Sequence, residues 1–388
     1  MQDLCATSVQ QFIRNFKGDP LDLALKGSPI AGVEVRDLVE QIIGRRQIRK
    51  KLPLWFQTEG IVYPPKLNLE QTSSQATAQY KASLCAGSAG ADLTGGWGVD
   101  AYYMAQSFTH FDYFEQNQEL GMLAKHNLRL LGGDNINFKL GDGLKGIEHR
   151  SYDWIYIDPS RRHQEKGKVI GLQDYTPDLT QHLNYLLERT NRVLIKTAPM
   201  LDLNAGLRGL HSVKEIQVVA VGNEVKELLW LVEAGWKEPP QVKAIVIKPD
   251  GIEETHGPLI PAEKPPCSPP LAYIYEPSAA LIKAHLHDLE AIRKGLYKLA
   301  PMSHYYTSDS RLDYPGRTYR VDTVWPYKRS VMKEQIQGQK AWVGSRNFGE
   351  SVAELRKRWK LTDAEGIQLI FTQLENGEKV VLKVDRLS

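Results

Sequence analysis

An α/β fold is predicted, with a mostly parallel sheet ending in an antiparallel hairpin between a helical N-terminal region and a small α+β C-terminal region. Three observations predict it. Between residues 66 and 237, short apolar runs alternate with helical patterns, the rhythm of right-handed βαβ units covered on both faces. "VKEIQVVAVGNEVKELLWLVEAG" then reads as two strands around a Gly222-Asn223 turn, so the last pair is antiparallel. Both flanks lack this alternation. At 388 residues and 42% hydrophobic, the chain is long enough for two or three cores.

Residues 1–65 read as a helical N-terminal domain. "VEVRDLVEQIIGRRQIRKKLPLWF" carries Val35, Leu38, Ile42 and Ile43 close to helical spacing and stops before Pro53. Its run Arg45, Arg46, Arg49, Lys50 and Lys51 is either a phosphate-contacting surface or a solvated helix face. In the domain at 66–237 the expected strands are Ala89–Leu93, Phe111–Phe114, Ile136–Lys139, Trp154–Ile157 and Val193–Lys196. "NQELGMLAKHNLRLLG" and "PDLTQHLNYLLERT" are helices between them. From 238 to 318, proline-dense "KEPPQVK" and "PLIPAEKPPCSPP" mark a linker, because proline cannot serve a central strand, and "LAYIYEPSAALIKAHLHDLEAI" follows as strand, turn and helix. Over 319–388, "SVAELRKRWKL" reads as a helix and "IQLIFTQLENGEKVVLKVDRL" as a hairpin turning at Asn376-Gly377.

Formal charge is +2 over residues 1–60, −3 over 61–240 and +4 over 241–388, basic flanks around a mildly acidic middle. Such an uneven distribution suits a polyanionic partner and also arises on ordinary solvated surfaces. Cys5, Cys85 and Cys267 form no Cys-x-x-Cys pair, and the ten histidines show no metal spacing, so neither a disulfide framework nor a metal site is expected. No basic segment leads into an apolar run at the N-terminus, and no membrane-length apolar stretch occurs, so a cytoplasmic protein is expected.

Four of the expected strands end in an acid. Asp92 precedes a turn containing Gly95, Gly96 and Gly98, Glu115 follows 23 positions after Asp92, Asp142 ends "KLGDGL", and Asp158 ends "DWIYIDPSRR". Open α/β sheets bind ligands at the carboxyl ends of their strands, and an acid at that spacing can accept ribose hydroxyls. The residues resemble the class I S-adenosylmethionine-dependent methyltransferases, whose sheet is Rossmann-like and closes with such a hairpin. More narrowly, "LEQTSSQATAQYKASL", "DPSRR", "YEPSAALIKA", "TSD" and "RNF…LRKRWKL" resemble a bacterial group of these enzymes with a ferredoxin-like segment and a C-terminal THUMP-like domain.

That resemblance implies S-adenosylmethionine as cofactor, RNA as partner and a base of tRNA or rRNA as acceptor. It implies that Asp92, Thr94, Gly95, Gly96, Gly98 and Asp100 hold the methionine end, that Glu115 and Gln116 hold the ribose, and that Asp142 and Gly143 hold the adenine. Asp158, Pro159 and Ser160 would face the acceptor. Relatives acting on exocyclic amines commonly carry Pro-Pro-aromatic after the acid, whereas here Ser160 and Arg161 stand at those positions, so Tyr156 or an arginine plane would have to stack on the base. Methylation at pyrimidine carbon 5 needs a cysteine nucleophile, and none lies between residues 86 and 266.

Arg161 and Arg162 either grip substrate or hold their loop, and Lys196 either touches substrate or is solvated. Glu70–Ser74 either lines the methionine end or caps the following helix. Arg356, Lys357, Arg358, Trp359 and Lys360 fit a nucleic-acid surface or a solvated helix with Trp359 in the core. Two other functions remain compatible with the sequence: a methyltransferase for a small molecule or protein, and an RNA-binding protein on a fold no longer catalytic.

Overall fold

The computed structural model describes residues 3–161, 171–260 and 263–387, and the chain divides into two compact units. Unit 1 comprises Met1–Lys214 and Leu228–Glu238. Its first part is helical: Thr7–Asn15, Pro20–Lys26, Val35–Ile48, Pro53–Gln57, Lys66–Gln71 and Gln75–Leu84. Val9, Ile13, Leu23, Val33, Leu38 and Ile42 form one core among the first three of these helices and the turn between them. The buried face of Val35–Ile48 runs through Leu38, Gln41, Ile42 and Ile48, while Ile43, expected inside, is exposed. Gln41 takes the inner place because its side-chain amide donates to Tyr63 O and accepts from Tyr63 N, both at 2.8 Å, which removes the cost of about 1–3 kcal/mol for a buried unpaired polar group.

The sheet strands follow as β1 (Gly87–Asp92), β2 (Phe108–Glu115), β3 (Ile136–Leu140), β4 (Trp154–Ile157), β5 (Ser160–Arg161), β6 (Tyr175–Thr176) and β7 (Arg192–Thr197), then β8 (Val213–Val221) and β9 (Glu224–Glu233). β1, β2, β3, β4 and β7 pair in parallel with their carboxyl ends in line: Asp92 opposes Tyr113 and Tyr156, Glu115 opposes Leu140, and Ile157 opposes Ile195. β9 runs antiparallel to β7. β5 and β6 form a separate two-residue ladder. The expected strands are therefore present, and the Gly222-Asn223 turn joins β8 and β9, with Gly222 at φ 60° as the turn requires. In unit 1 the strand order is β9-β7-β4-β1-β2-β3, and in unit 2 it is β11-β10-β8, where β10 is Gln241–Lys248 and β11 is Gly251–Pro258.

Unit 2 comprises Glu215–Glu227 and Pro239–Ser388. Here the linker expectation needs correction, because β10 pairs in parallel with β8 from Gln241↔Glu215 to Ile247↔Val221, and β11 folds back antiparallel on β10. Pro239 and Pro240 stop short of the strand, so the apolar run Val242 to Ile247 between them and Asp250 was free to join the ladder. Further on, β12 (Tyr273–Pro277), β13 (Tyr297–Lys298), β14 (Tyr306–Ser308), β15 (Gly316–Pro326), β16 (Lys340–Ser345), β17 (Thr362–Gln373) and β18 (Lys379–Arg386) build a single seven-stranded sheet. The expected hairpin at Asn376-Gly377 is β17 with β18. Alternate residues of β17 enter different cores: Ile370 packs with Ile274, Tyr305 and Leu382, whereas Leu369 and Phe371 pack with Met332, Leu355 and Trp359.

Trp359 is thus a core residue whose Nε1 donates to Tyr327 OH at 3.1 Å, and Arg356 and Arg358 pair with Asp363 and Glu350. Trp359 takes the core position that the second alternative gave it.

In the same unit, His287 is buried with its ring perpendicular to that of His304, centroids 4.7 Å apart. Burial pulls the His287 imidazole down to about 4, with His304 and Lys298 adding to the effect and Asp288 opposing it. A histidine unfolded near pH 6.5 and folded near 4 binds its proton first in the unfolded state. Its contribution is therefore intact above pH 6.5 and is lost as pH falls toward 4, by up to about 3 kcal/mol. Urea midpoints measured between pH 7 and 4 should fall more steeply for the native chain than for His287→Phe, and parallel curves would refute the assignment.

Candidate functional site

The turn after β1 is set by hydrogen bonds from its own backbone. Asp92 Oδ1 accepts from Thr94 N at 2.9 Å, Gly95 N donates to Phe114 O at 2.7 Å, and Gly98 N donates to Gly95 O at 2.8 Å. Gly95 lies flat on Tyr113, where an added Cβ would stand 2.1 Å from the ring. Gly96 has φ 56°, its N–H donates to Glu115 Oε2 at 2.8 Å, and Tyr113 OH donates to its carbonyl at 2.6 Å. Glu115 also accepts from Asn117 N at 2.7 Å through Oε1, and Asn117 in turn caps the helix Gln118–Leu130. Gln116 is exposed beside it.

Two further turns adjoin this one. Asp142 caps the short helix Gly143–Gly146 by accepting from Leu144 N at 3.0 Å. Gly143 comes so close to the β1 turn that a Cβ there would lie 2.7 Å from Leu93 O. After β4, Asp158 N donates to Thr94 Oγ1 at 2.7 Å, which ties the loop that follows β4 to the glycine turn. Pro159 is buried and Ser160 exposed. The Arg161 side chain and Arg162 lie outside the described residues.

Lys196, at the end of β7, is neither solvated nor unengaged: only 12% of its side chain is exposed, and its Nζ pairs with Asp158 Oδ2. Tyr156 also departs from expectation. It is buried, and its hydroxyl donates to Asp100 Oδ2 at 2.8 Å, so it cannot stack on a base. Asp100 collects Ser73 Oγ at 2.8 Å and Lys81 Nζ at 3.2 Å as well. In the Glu70–Ser74 stretch, Ser74 caps the helix Gln75–Leu84, as the second alternative has it, and the neighbouring Ser73 donates to Asp100.

Sequence reasoning missed Lys81 as a member of this constellation. The available signal was Lys81 standing on the same helix face as Ala78 and Ala82, a place for a buried, paired lysine. Trp97 of the glycine turn is buried, its ring centroid 4.5 Å from that of Trp55.

The electrostatics are dominated by acids. Burial holds the Asp92 carboxyl well above its usual range, and Asp100, Asp158 and Glu115 push in the same direction against the Thr94 amide. Burial would raise Asp100 too, but Lys81, Lys196 and the hydroxyls of Tyr156 and Ser73 hold it below the usual range. Asp92 thus occupies a dry position facing an excess of negative charge. Such a position favours a cation and hydroxyl donors over a phosphate.

A crystal structure of a protein from Porphyromonas gingivalis W83, assigned as a methyltransferase, matches at a TM-score of 0.89 and 31% identity, covering 100% of this chain and 99% of that chain. The chain belongs to that methyltransferase family. Family profiles described as a ferredoxin-like domain and as THUMP domain-like match residues 273–315 and 316–386 of this methyltransferase. It is a class I methyltransferase with a C-terminal THUMP-like domain.

The methyltransferase is also similar to Pyrococcus abyssi tRNA (uracil-54, C5)-methyltransferase in complex with S-adenosyl-L-homocysteine, at 18% identity and a TM-score of 0.32. That match covers 41% of this chain and 38% of that chain. TrmK of M. capricolum, in complex with the same product, is 16% identical at a TM-score of 0.33 over 41% of this chain and 68% of that chain. A comparison with curated proteins finds no match. Among the described residues, no helix is long and apolar enough to cross a membrane, and no group of three or more His, Cys, Asp or Glu could hold a metal ion.

Proposed function

We propose that this methyltransferase moves the methyl group of S-adenosylmethionine to an exocyclic amino nitrogen of an RNA base. The observation that carries the reading is the convergence of Asp92, Glu115, Asp142 and Asp158 at the aligned carboxyl ends of parallel strands, with Asp92 buried among other carboxylates. A sulfonium cofactor fits this donor set, because its positive charge relieves the clustered acids. Gly96, with only Thr94 O within 4 Å of where a Cβ would stand, leaves the turn open to a ligand.

In this reading Asp92, Thr94 and the Gly95, Gly96 and Gly98 turn hold the amino-acid end, with Asp100 beside them. Glu115 and Gln116 hold the ribose, and Asp142 and Gly143 the adenine. Each Glu115 oxygen already accepts one backbone N–H, which fixes the carboxylate plane and leaves a second lone pair for a hydroxyl. When bound, the cofactor supplies an electrophilic methyl group that needs alignment more than base catalysis. Asp158 and the Pro159 carbonyl accept the amino hydrogens and aim the nitrogen lone pair, while Lys196 on Oδ2 turns the other carboxylate oxygen toward them. Cys85, buried with its thiol pushed up by burial, supports no carbon 5 nucleophile.

The test is methyl-labelled S-adenosylmethionine with RNA from cells lacking the gene and from wild-type cells. Label entering only the former supports the reading, and label entering neither defeats the RNA assignment. Glu115→Ala should weaken cofactor binding by calorimetry about 10–100-fold, the worth of its charge-assisted bonds to hydroxyls, and an unchanged Kd would remove Glu115 from the cofactor site.

A further inference from the structure

The basic run of the N-terminal helices has no place in the site above, and three of its arginines gather around one cavity, a geometry that develops the first of the two alternatives the sequence offered. Arg45, Arg46 and Arg49 of Val35–Ile48 converge with Arg14 and with the rings of Phe16 and Phe56 around a cavity of about 220 Å³, and no acidic residue lines it. Two of these arginines are held in place. The Arg45 guanidinium lies 3.8 Å from the Phe56 ring centroid and donates to Phe56 O at 2.9 Å. Arg46 lies over Phe16 and donates to Phe16 O at 3.1 Å and Gly18 O at 2.8 Å.

Arg14 is compensated by Glu59, which stands outside the cavity lining. The Arg49 guanidinium has no hydrogen-bond or ion-pair partner among the described residues. Each guanidinium carries five donors in a planar fork, and Arg45 and Arg46 commit only one or two contacts to the protein, so most donors remain for a ligand. Gathering Arg45, Arg46 and Arg49 around one small space with no acid to offset them is unfavourable, and an entering anion relieves it.

We propose that this cavity is a phosphate-binding site that receives a backbone phosphate of RNA. Planar forks match phosphate oxygens in pairs, as they match carboxylates, so the rings beside them carry the choice of a nucleic-acid phosphate. The partly exposed Phe16 and Phe56, each under an arginine plane, add faces on which a neighbouring base stacks, and that combination favours a nucleic-acid chain over a free anion. Naming RNA rests on the function proposed above. The phosphate site itself does not.

The experiment uses the full chain and a fluorescent single-stranded RNA of mixed sequence, titrated at several salt concentrations, with native protein, Arg49→Gln, Arg49→Glu and the charge control Lys26→Gln. Arg49→Gln should weaken binding about tenfold and reduce the salt slope by about 0.7, Arg49→Glu should weaken it further, and Lys26→Gln should do neither. Native-like affinity and slope in both Arg49 variants would overturn the proposal. Thermal protection by inorganic phosphate or ATP that is lost in Arg49→Glu, with RNA affinity unchanged, would overturn RNA as the source. Cofactor affinity, followed separately by calorimetry, should be unaffected by Arg49→Gln. Normal RNA binding without methyl transfer would count against the proposed reaction and not against the cavity.

Discussion

Replacing Lys81 with methionine is expected to destabilise the protein by about 3–5 kcal/mol at pH 7, the usual cost of stranding one member of a buried ion pair. The lysine side chain is 0% exposed and that of its partner Asp100 11%. Methionine keeps an unbranched side chain in the space but leaves Asp100 to Ser73, Tyr156 and the charge of Lys196. The pH dependence gives the sign. In the native chain Asp100 titrates below its unfolded value, so its contribution is complete above the ordinary carboxylate range and is lost as pH falls through the lowered value. Without Lys81 burial prevails, Asp100 titrates above its unfolded value, and the deficit should be largest at neutral pH and shrink toward pH 4. Urea unfolding followed through the buried Trp55 and Trp97 checks this, and Asp100→Asn in the same background should recover part of the loss. A deficit under about 1 kcal/mol would mean that the pair contributes little.

Asp158→Ala should lower methyl transfer by about 100–1,000-fold while leaving cofactor affinity within a few-fold, because in the proposed reaction its carboxylate faces the acceptor, whereas its backbone N–H, which the substitution keeps, holds the glycine turn. The substitution also removes one partner of the Lys196 ammonium, so Lys196→Met in the same background separates loss of the acceptor contact from the effect of the altered lysine. Turnover within threefold of native, with normal cofactor binding, would move the acceptor site elsewhere.

Much of unit 1 was legible because parallel strands covered on both faces must be short apolar runs, and β4, read as Trp154–Ile157, has those bounds in the structure. Asp92, Glu115, Asp142 and Asp158 stood out because a strand-end acid interrupts such a run at the edge where ligands bind. β10 and β11 were hidden by the prolines beside them, since local composition reports what a residue tolerates and not which strand edge lies open to it.

The sequence by itself determined the alternation of strands and helices, the glycine turn and the chemistry available at each strand end, because these follow from backbone sterics and side-chain periods over a few residues. Tertiary structure decided which charges meet. Tyr156 reaches Asp100 only because β4 lies beside β1, Lys81 reaches it because the helix Gln75–Leu84 packs on the helix Val99–Ala105, and Lys196 reaches Asp158 only because β7 lies beside β4. Arg45 and Arg46 became cavity walls only when Phe56 and Phe16 arrived from neighbouring helices. Coulomb and hydrogen-bond energies depend on distance through space and on burial, and neither is set by separation along the chain.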